Sequence, residues 1–130
     1  MYNETVLKRF QESKNAGELR GASAVGKAGN VQCGDIMKIY LKVDGKDVIV
    51  DAKFKTFGCV SAIASTDVAC DIIKGKTVEQ ALEVTNKDVI DALGGLPVLK
   101  VHCSVLAQEA IAAAVADYKK RQARLQKKKK

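Results

Sequence analysis

Two runs of alternating residues joined by Asp44-Gly45 constrain this chain more than any other feature. From Ile36 to Val43, Met37, Ile39, Leu41 and Val43 share one face, and Lys38 and Lys42 share the other. From Val48 to Lys55, Val48, Val50, Ala52 and Phe54 alternate with Asp51, Lys53 and Lys55. Period-two alternation turns one set of side chains inward and the other to water, and Asp-Gly is a hairpin turn. The expected unit is a β-hairpin, Ile36–Val43 against Val48–Lys55, with a third strand beside it. Helices supply the rest, so the predicted fold class is α+β: a small antiparallel sheet packed against several helices.

The helical segments announce themselves by period and by capping residues. Val6, Leu7 and Phe10 suggest one apolar stripe within residues 2–12. Gly17, Gly21, Gly26, Gly29 and Gly34 punctuate a stretch with little periodicity, read as a long loop that leads to Cys33. Ser61–Lys74 is helical in pattern and closes at Lys74-Gly75. Thr77-Val78-Glu79-Gln80 has the form of a capping box opening a helix to about Val84. Asn86 is a candidate cap for a short helix ending at Gly94-Gly95, and the segment from Ser104 to about Tyr118 predicts the longest helix.

The 130 residues suit one domain, and 47% hydrophobic residues suit a packed core. The net charge of +7 is local: residues 119–130 hold eight Lys and Arg and no acid, which leaves −1 for residues 1–118. The reading is therefore a domain over 1–118 and a basic, disordered tail over 119–130. A near-neutral body with 5% aromatics and no Trp argues against a nucleic-acid partner. Apolar runs are too short to span a bilayer, which argues against a membrane partner. Met1–Lys14 lacks the pattern of a secretory signal, so the expected compartment is the cytoplasm, with reduced thiols.

Three of the four cysteines sit beside turns with a polar companion: Gln32-Cys33-Gly34-Asp35, Phe57-Gly58-Cys59 and Lys100-Val101-His102-Cys103-Ser104. Cys33 and Cys59 lie just outside the two ends of the hairpin, so pairing of its strands brings them together. Cys59 and Cys103 each precede a predicted helix, where unpaired N–H groups favour a thiolate. Thiolates suit iron–sulfur clusters, zinc and Cu(I), and Asp35 or His102 offers a fourth ligand of another kind. Cys70 lies within a predicted helix among Val68, Ala69 and Ile72 and reads as a core residue. No Cys-x-x-Cys, phosphate loop or nucleophile elbow occurs, which disfavours zinc fingers, ferredoxins, nucleotide binding and serine hydrolysis.

The blocks Cys33-Gly34-Asp35, Phe54-Lys55-Thr56-Phe57-Gly58-Cys59 with Ala62-Ile63-Ala64-Ser65, and Lys100-Val101-His102-Cys103-Ser104 with Glu109-Ala110-Ile111 resemble the IscU/NifU-type iron–sulfur cluster assembly scaffolds. The segment Gly94-Gly95-Leu96-Pro97 is closer to the N-terminal scaffold domain of NifU-type proteins. The resemblance implies a non-enzymatic scaffold that builds a transient [2Fe–2S] cluster and passes it to apo-proteins. It implies Cys33, Cys59 and Cys103 as ligands, Asp35 or His102 as the fourth, and Cys103 as first sulfur acceptor. The implied partners are a cysteine desulfurase, an iron and electron donor, and apo iron–sulfur acceptor proteins. The same site could take zinc and accept sulfur, the alternative reading. Leu96, Pro97, Val98, Leu99 and Lys100 fall on the family's partner-binding segment. An Hsp70-type chaperone reads two prolines there, whereas this chain has one, which counts against that partner.

Overall fold

The computed structural model describes residues 3–30, 35–58, 60–95 and 101–128. The helices are α1 (Glu4–Gln11), α2 (Val60–Ile73), α3 (Val78–Ala81), α4 (Asn86–Ala92) and α5 (Val101–Lys128). The strands are β1 (Ala24–Asn30), β2 (Asp35–Val43) and β3 (Ile49–Phe57), in one antiparallel sheet of order β1-β2-β3. The expected α+β class holds. One face of the sheet buries Met37, Ile39, Leu41, Ala52 and Phe54 against α2 and α5, with Val68, Ile73, Ile111 and Val115 among the helical partners.

The hairpin forms, with two local differences from its pattern. Its connection spans Asp44–Val48, one residue longer than the predicted strands leave: the Asp44 carboxylate accepts from the amides of Lys46 and Val48, and Asp47 takes the left-handed conformation at φ 63°. A register shift between Lys42 and Val43 changes the parity of the second strand, so Ile49 is buried and Val50 is exposed. An extra residue in one strand turns the side chains beyond it to the opposite face.

The third strand lies where the glycines suggested a loop. Residues 24–30, Ala-Val-Gly-Lys-Ala-Gly-Asn, pair with β2 from Ala24–Leu41 to Asn30–Asp35. Strand alternation is hidden because the inward positions are Ala and Gly. A Cβ on Gly26 would stand 2.1 Å from the Ala114 amide nitrogen and 2.5 Å from the Ala110 carbonyl oxygen. Only glycine lets α5 approach β1 this closely.

Four helices depart from their sequence outlines. In α1 only Val6 is buried, while Leu7 and Phe10 stay exposed, so the predicted stripe is one residue wide. Both short helices carry capping boxes, Thr77 with Gln80 and Thr85 with Asp88; α3 stops at Ala81, and Thr85, not Asn86, caps α4. Helix α5 continues through Lys128, so residues 119–128 are helical and not the disordered tail that composition suggested. Propagating an already docked helix avoids the cost of nucleation, and Lys, Arg, Gln, Ala and Leu are good helix formers. Lys119 pairs with Glu79 at 2.7 Å and Arg121 with Asp117 at 3.0 Å.

Candidate functional site

The sheet has two ends, and hydrogen bonds to α5 show which of them receives the start of that helix. At the hairpin-turn end, the Tyr118 hydroxyl donates to Asp47 at 2.5 Å. On β1, the Val25 amide donates to the Asp117 carboxylate at 2.9 Å, and Gly26 packs on Ala110 and Ala114. Helix α5 therefore runs antiparallel to β1. From Tyr118 back to Cys103 the helix rises ~22 Å, and β2 from Val43 to Asp35 spans ~26 Å. The first turn of α5 thus reaches the end of the sheet opposite the hairpin turn. Asn30 pairs with Asp35 at that end, and Ile36 pairs with Phe57, the residue before Gly58.

Each cysteine of interest belongs to a segment leaving this one end. Cys33 and Cys59 lie outside the described residues, as do Leu96, Pro97, Val98, Leu99 and Lys100 and the side chains of Asp35, His102 and Cys103. Their flanks are described: Asn30 and Asp35 enclose the segment of Cys33, and Gly58 and Val60 enclose Cys59. Asp35 opens β2, and Val60 opens α2. Helix α5 begins at Val101, so His102 and Cys103 are its second and third residues; Cys103 lies within the first turn and not before the helix. The amides of a first turn have no intrahelical acceptor, so the positive potential favouring a thiolate is retained.

The frame beneath these segments is held by polar contacts that the sequence pattern did not reveal. Thr66 donates to the Ala62 carbonyl at 2.7 Å, and Thr56 on β3 donates to Thr66 at 3.4 Å, tying the first turns of α2 to the strand. Further along α2, Asp67 is fully buried. It accepts from the Asn15 amide at 3.0 Å and from the Arg9 guanidinium at 2.9 Å. Arg9 also pairs with Asp71, and Asn15 bonds both Asp71 and Lys74. Burial pushes the Asp71 carboxyl up, but hydrogen bonds from Arg9 and Asn15 and the charges of Arg9 and Lys74 outweigh it and hold it below its ordinary value. Asn15 in turn accepts from the Phe54 amide through its carbonyl, so the cluster joins α1, α2 and β3. At the other end of α1, the Asn3 side chain caps the helix and donates to the Leu93 carbonyl at 3.0 Å.

Cys70 stands apart from the three, as its helical context predicts. It is fully buried, and burial, with Asp67 adding to it, pushes its thiol well above the ordinary range. Such a thiol stays protonated and inert. Among the described residues no three His, Cys, Asp or Glu side chains are grouped to hold a metal ion, and no helix is long and apolar enough to cross a membrane.

The NifU-like N-terminal domain matches residues 1–125. The chain belongs to that family. Scaffold proteins of iron–sulfur cluster assembly are among its curated relatives. Two IscU proteins of Archaeoglobus fulgidus are 46% identical over 127 residues, covering 98% of this chain and 82% of theirs. IscU of Aquifex aeolicus is 45% identical over 126 residues, covering 96% of this chain and 80% of its own. The NifU-like N-terminal fold recurs in a Brucella abortus protein with a TM-score of 0.74 at 18% identity, covering 91% of this chain and 94% of that one. As a NifU-like domain, the chain has its cysteine-bearing segments at the end of the sheet where β1 meets β2, β3 meets α2, and α5 begins.

Proposed function

We propose that this chain is a scaffold on which a transient [2Fe–2S] cluster is assembled from iron and desulfurase-derived sulfur and then passed to apo-proteins. One observation carries the reading: the three cysteine-bearing segments, far apart in sequence, leave the same end of one small sheet in a chain of the NifU-like family. Cys33, Cys59 and Cys103 supply thiolates, and Asp35 or His102 supplies the fourth ligand. A carboxylate or imidazole binds iron less firmly than a fourth thiolate and so favours release. The chain turns over no substrate of its own; the cluster is its cargo.

Sulfur arrives as a persulfide on a cysteine desulfurase. The Cys103 thiolate attacks the terminal sulfur, the bond to the desulfurase cysteine breaks, and that cysteine leaves as its thiolate. Each sulfane sulfur then gains two electrons to become sulfide. One comes from a ferrous ion, which becomes ferric, and the other from an external electron donor. Acceptor apo-proteins displace the fourth ligand first, because it is the weakest.

The test is anaerobic reconstitution with ferrous iron, cysteine, a reductant and a cysteine desulfurase, followed by absorption and Mössbauer spectra and a metal count. The expected result is a labile [2Fe–2S] spectrum that disappears in single serine variants of Cys33, Cys59 and Cys103 and persists in Cys70→Ser. Tightly held zinc with no cluster, even after chelation and reduction, would replace this reading with a zinc-binding sulfur acceptor built on the same residues.

A further inference from the structure

The sheet face turned away from α2 and α5 carries an arrangement that stability alone does not select. Lys27 on β1 stands directly opposite Lys38 on β2, and Lys38 directly opposite Lys55 on β3. Like charges at opposed positions of neighbouring strands destabilise a sheet. Among the described residues one acid answers the row: Glu18, 2.9 Å from the Lys55 ammonium. The hydrogen bond and charge of Lys55 hold the Glu18 carboxyl below its ordinary value, with a smaller contribution from Lys38. The Lys38 ammonium lies 5.3 Å from the centroid of the Tyr40 ring, a contact that fixes the cation without neutralising it. The next row toward Asp35 is apolar, Ile36 opposite Phe57, and Phe57 is 68% exposed.

We propose that this face is a docking surface for an acidic protein, whose carboxylates pair with the lysine row while an apolar side chain packs on Ile36 and Phe57. The row crosses two inter-strand spacings, ~10 Å in all, which suits a compact cluster of carboxylates. An exposed aromatic beside fixed cations is the composition of a protein interface, with an apolar anchor and a charged rim that guides encounter. Nucleic acid calls for a longer basic track and for stacking rings; among the described residues of this face Phe57 is the one exposed aromatic, and the body of the domain is near neutral. The apolar row adjoins Asp35 and Gly58, so a partner seated on it reaches the end of the sheet from which the cysteine segments leave. That last consequence rests on the scaffold reading; the docking itself does not.

The test is an NMR titration of the isotopically labelled full chain, free of metal, with a glutamate-rich synthetic peptide bearing a central leucine. Controls are the glutamine version of that peptide and a single-stranded DNA oligonucleotide of equal length. The expected result is salt-sensitive binding with shifts centred on Lys27, Ile36, Lys38, Lys55 and Phe57. Affinity should fall about tenfold in Lys38→Glu and about threefold in Phe57→Ala. Phe57 is exposed and Lys38 half-buried outside the core, so neither substitution removes a core side chain. Shifts confined to residues 119–130, unchanged affinity in Lys38→Glu, tighter binding of the oligonucleotide, or no binding at all would each overturn the proposal. Failed cluster assembly with these shifts intact would remove the scaffold reading and leave the docking surface standing.

Discussion

Arg9 and Lys74 lie among Asp67, Asp71 and Asn15, whereas Lys27, Lys38 and Lys55 lie among one another. The first set joins α1 to α2 around a fully buried carboxylate, and its members satisfy one another. The second set shares a solvent-facing sheet surface and, among the described residues, pairs with one exposed acid, Glu18. A buried charge without a partner is too costly to keep, so the cluster around Asp67 is complete within the chain. An exposed like-charge row costs little, so it can persist and be completed from outside. The contrast separates charges that hold the domain together from charges that await a partner.

Breaking the first set should have the largest effect. Asp67→Ala leaves Arg9 and the Asn15 amide without their buried acceptor and should cost about 3 kcal/mol, read as a lower midpoint in urea at neutral pH. An unchanged midpoint would mean that the cluster adds nothing to the fold. Acid should act on the same contacts. Because the folded Asp71 carboxyl titrates below its ordinary value, its contribution is complete above the unfolded pKa of about 3.9. It is lost as pH falls from there through the lower folded value. Urea midpoints measured from pH 6 down to pH 3 should fall steeply below about pH 4, and Asp71→Asn should blunt that fall.

The second set should respond in the opposite sense. Lys38→Glu replaces two like-charge pairs by two opposite ones and should raise the melting temperature by roughly 2–4 °C at low salt, with the gain shrinking as salt is added. A lower melting temperature would show that the lysine row is not under strain. The smallest change is expected at Ser65, whose buried hydroxyl has no hydrogen-bond partner among the described residues. Ser65→Ala should be neutral or stabilising by up to about 1 kcal/mol, in contrast with Asp67 two positions further along α2. A clear loss of stability would reveal a partner for that hydroxyl.

Much of the frame around the candidate site follows from short-range pattern. The alternation over residues 36–55 yields β2 and β3, Thr77 with Gln80 yields a capping box, and the helical period after Cys59 yields α2. The positions of Cys33 and Cys59 at the hairpin's ends already imply that their segments approach each other. Cys70 is legible as core because its neighbours on the helix are apolar. These features depend on residues within a turn or two of one another, and period and capping chemistry report such contacts directly.

The tertiary structure decided what depends on residues far apart. Residues 24–30 form a strand because α5 packs so closely on Gly26 that no side chain fits; the resulting Gly-Ala composition erases the strand signal. Leu7 and Phe10 remain exposed because α1 is fixed through Val6 and the Arg9 contacts, not through an apolar stripe. Lys27, Lys38 and Lys55 face one another only because the register aligns them across three strands, and a register is a long-range property. The sequence alone determined which segments pair locally and where α2 and α3 begin. Packing of α5 along β1 decided that the start of α5 reaches the end of the sheet where Asn30 pairs with Asp35, because a helix of fixed rise laid antiparallel to a strand carries its first turn to the strand's far end.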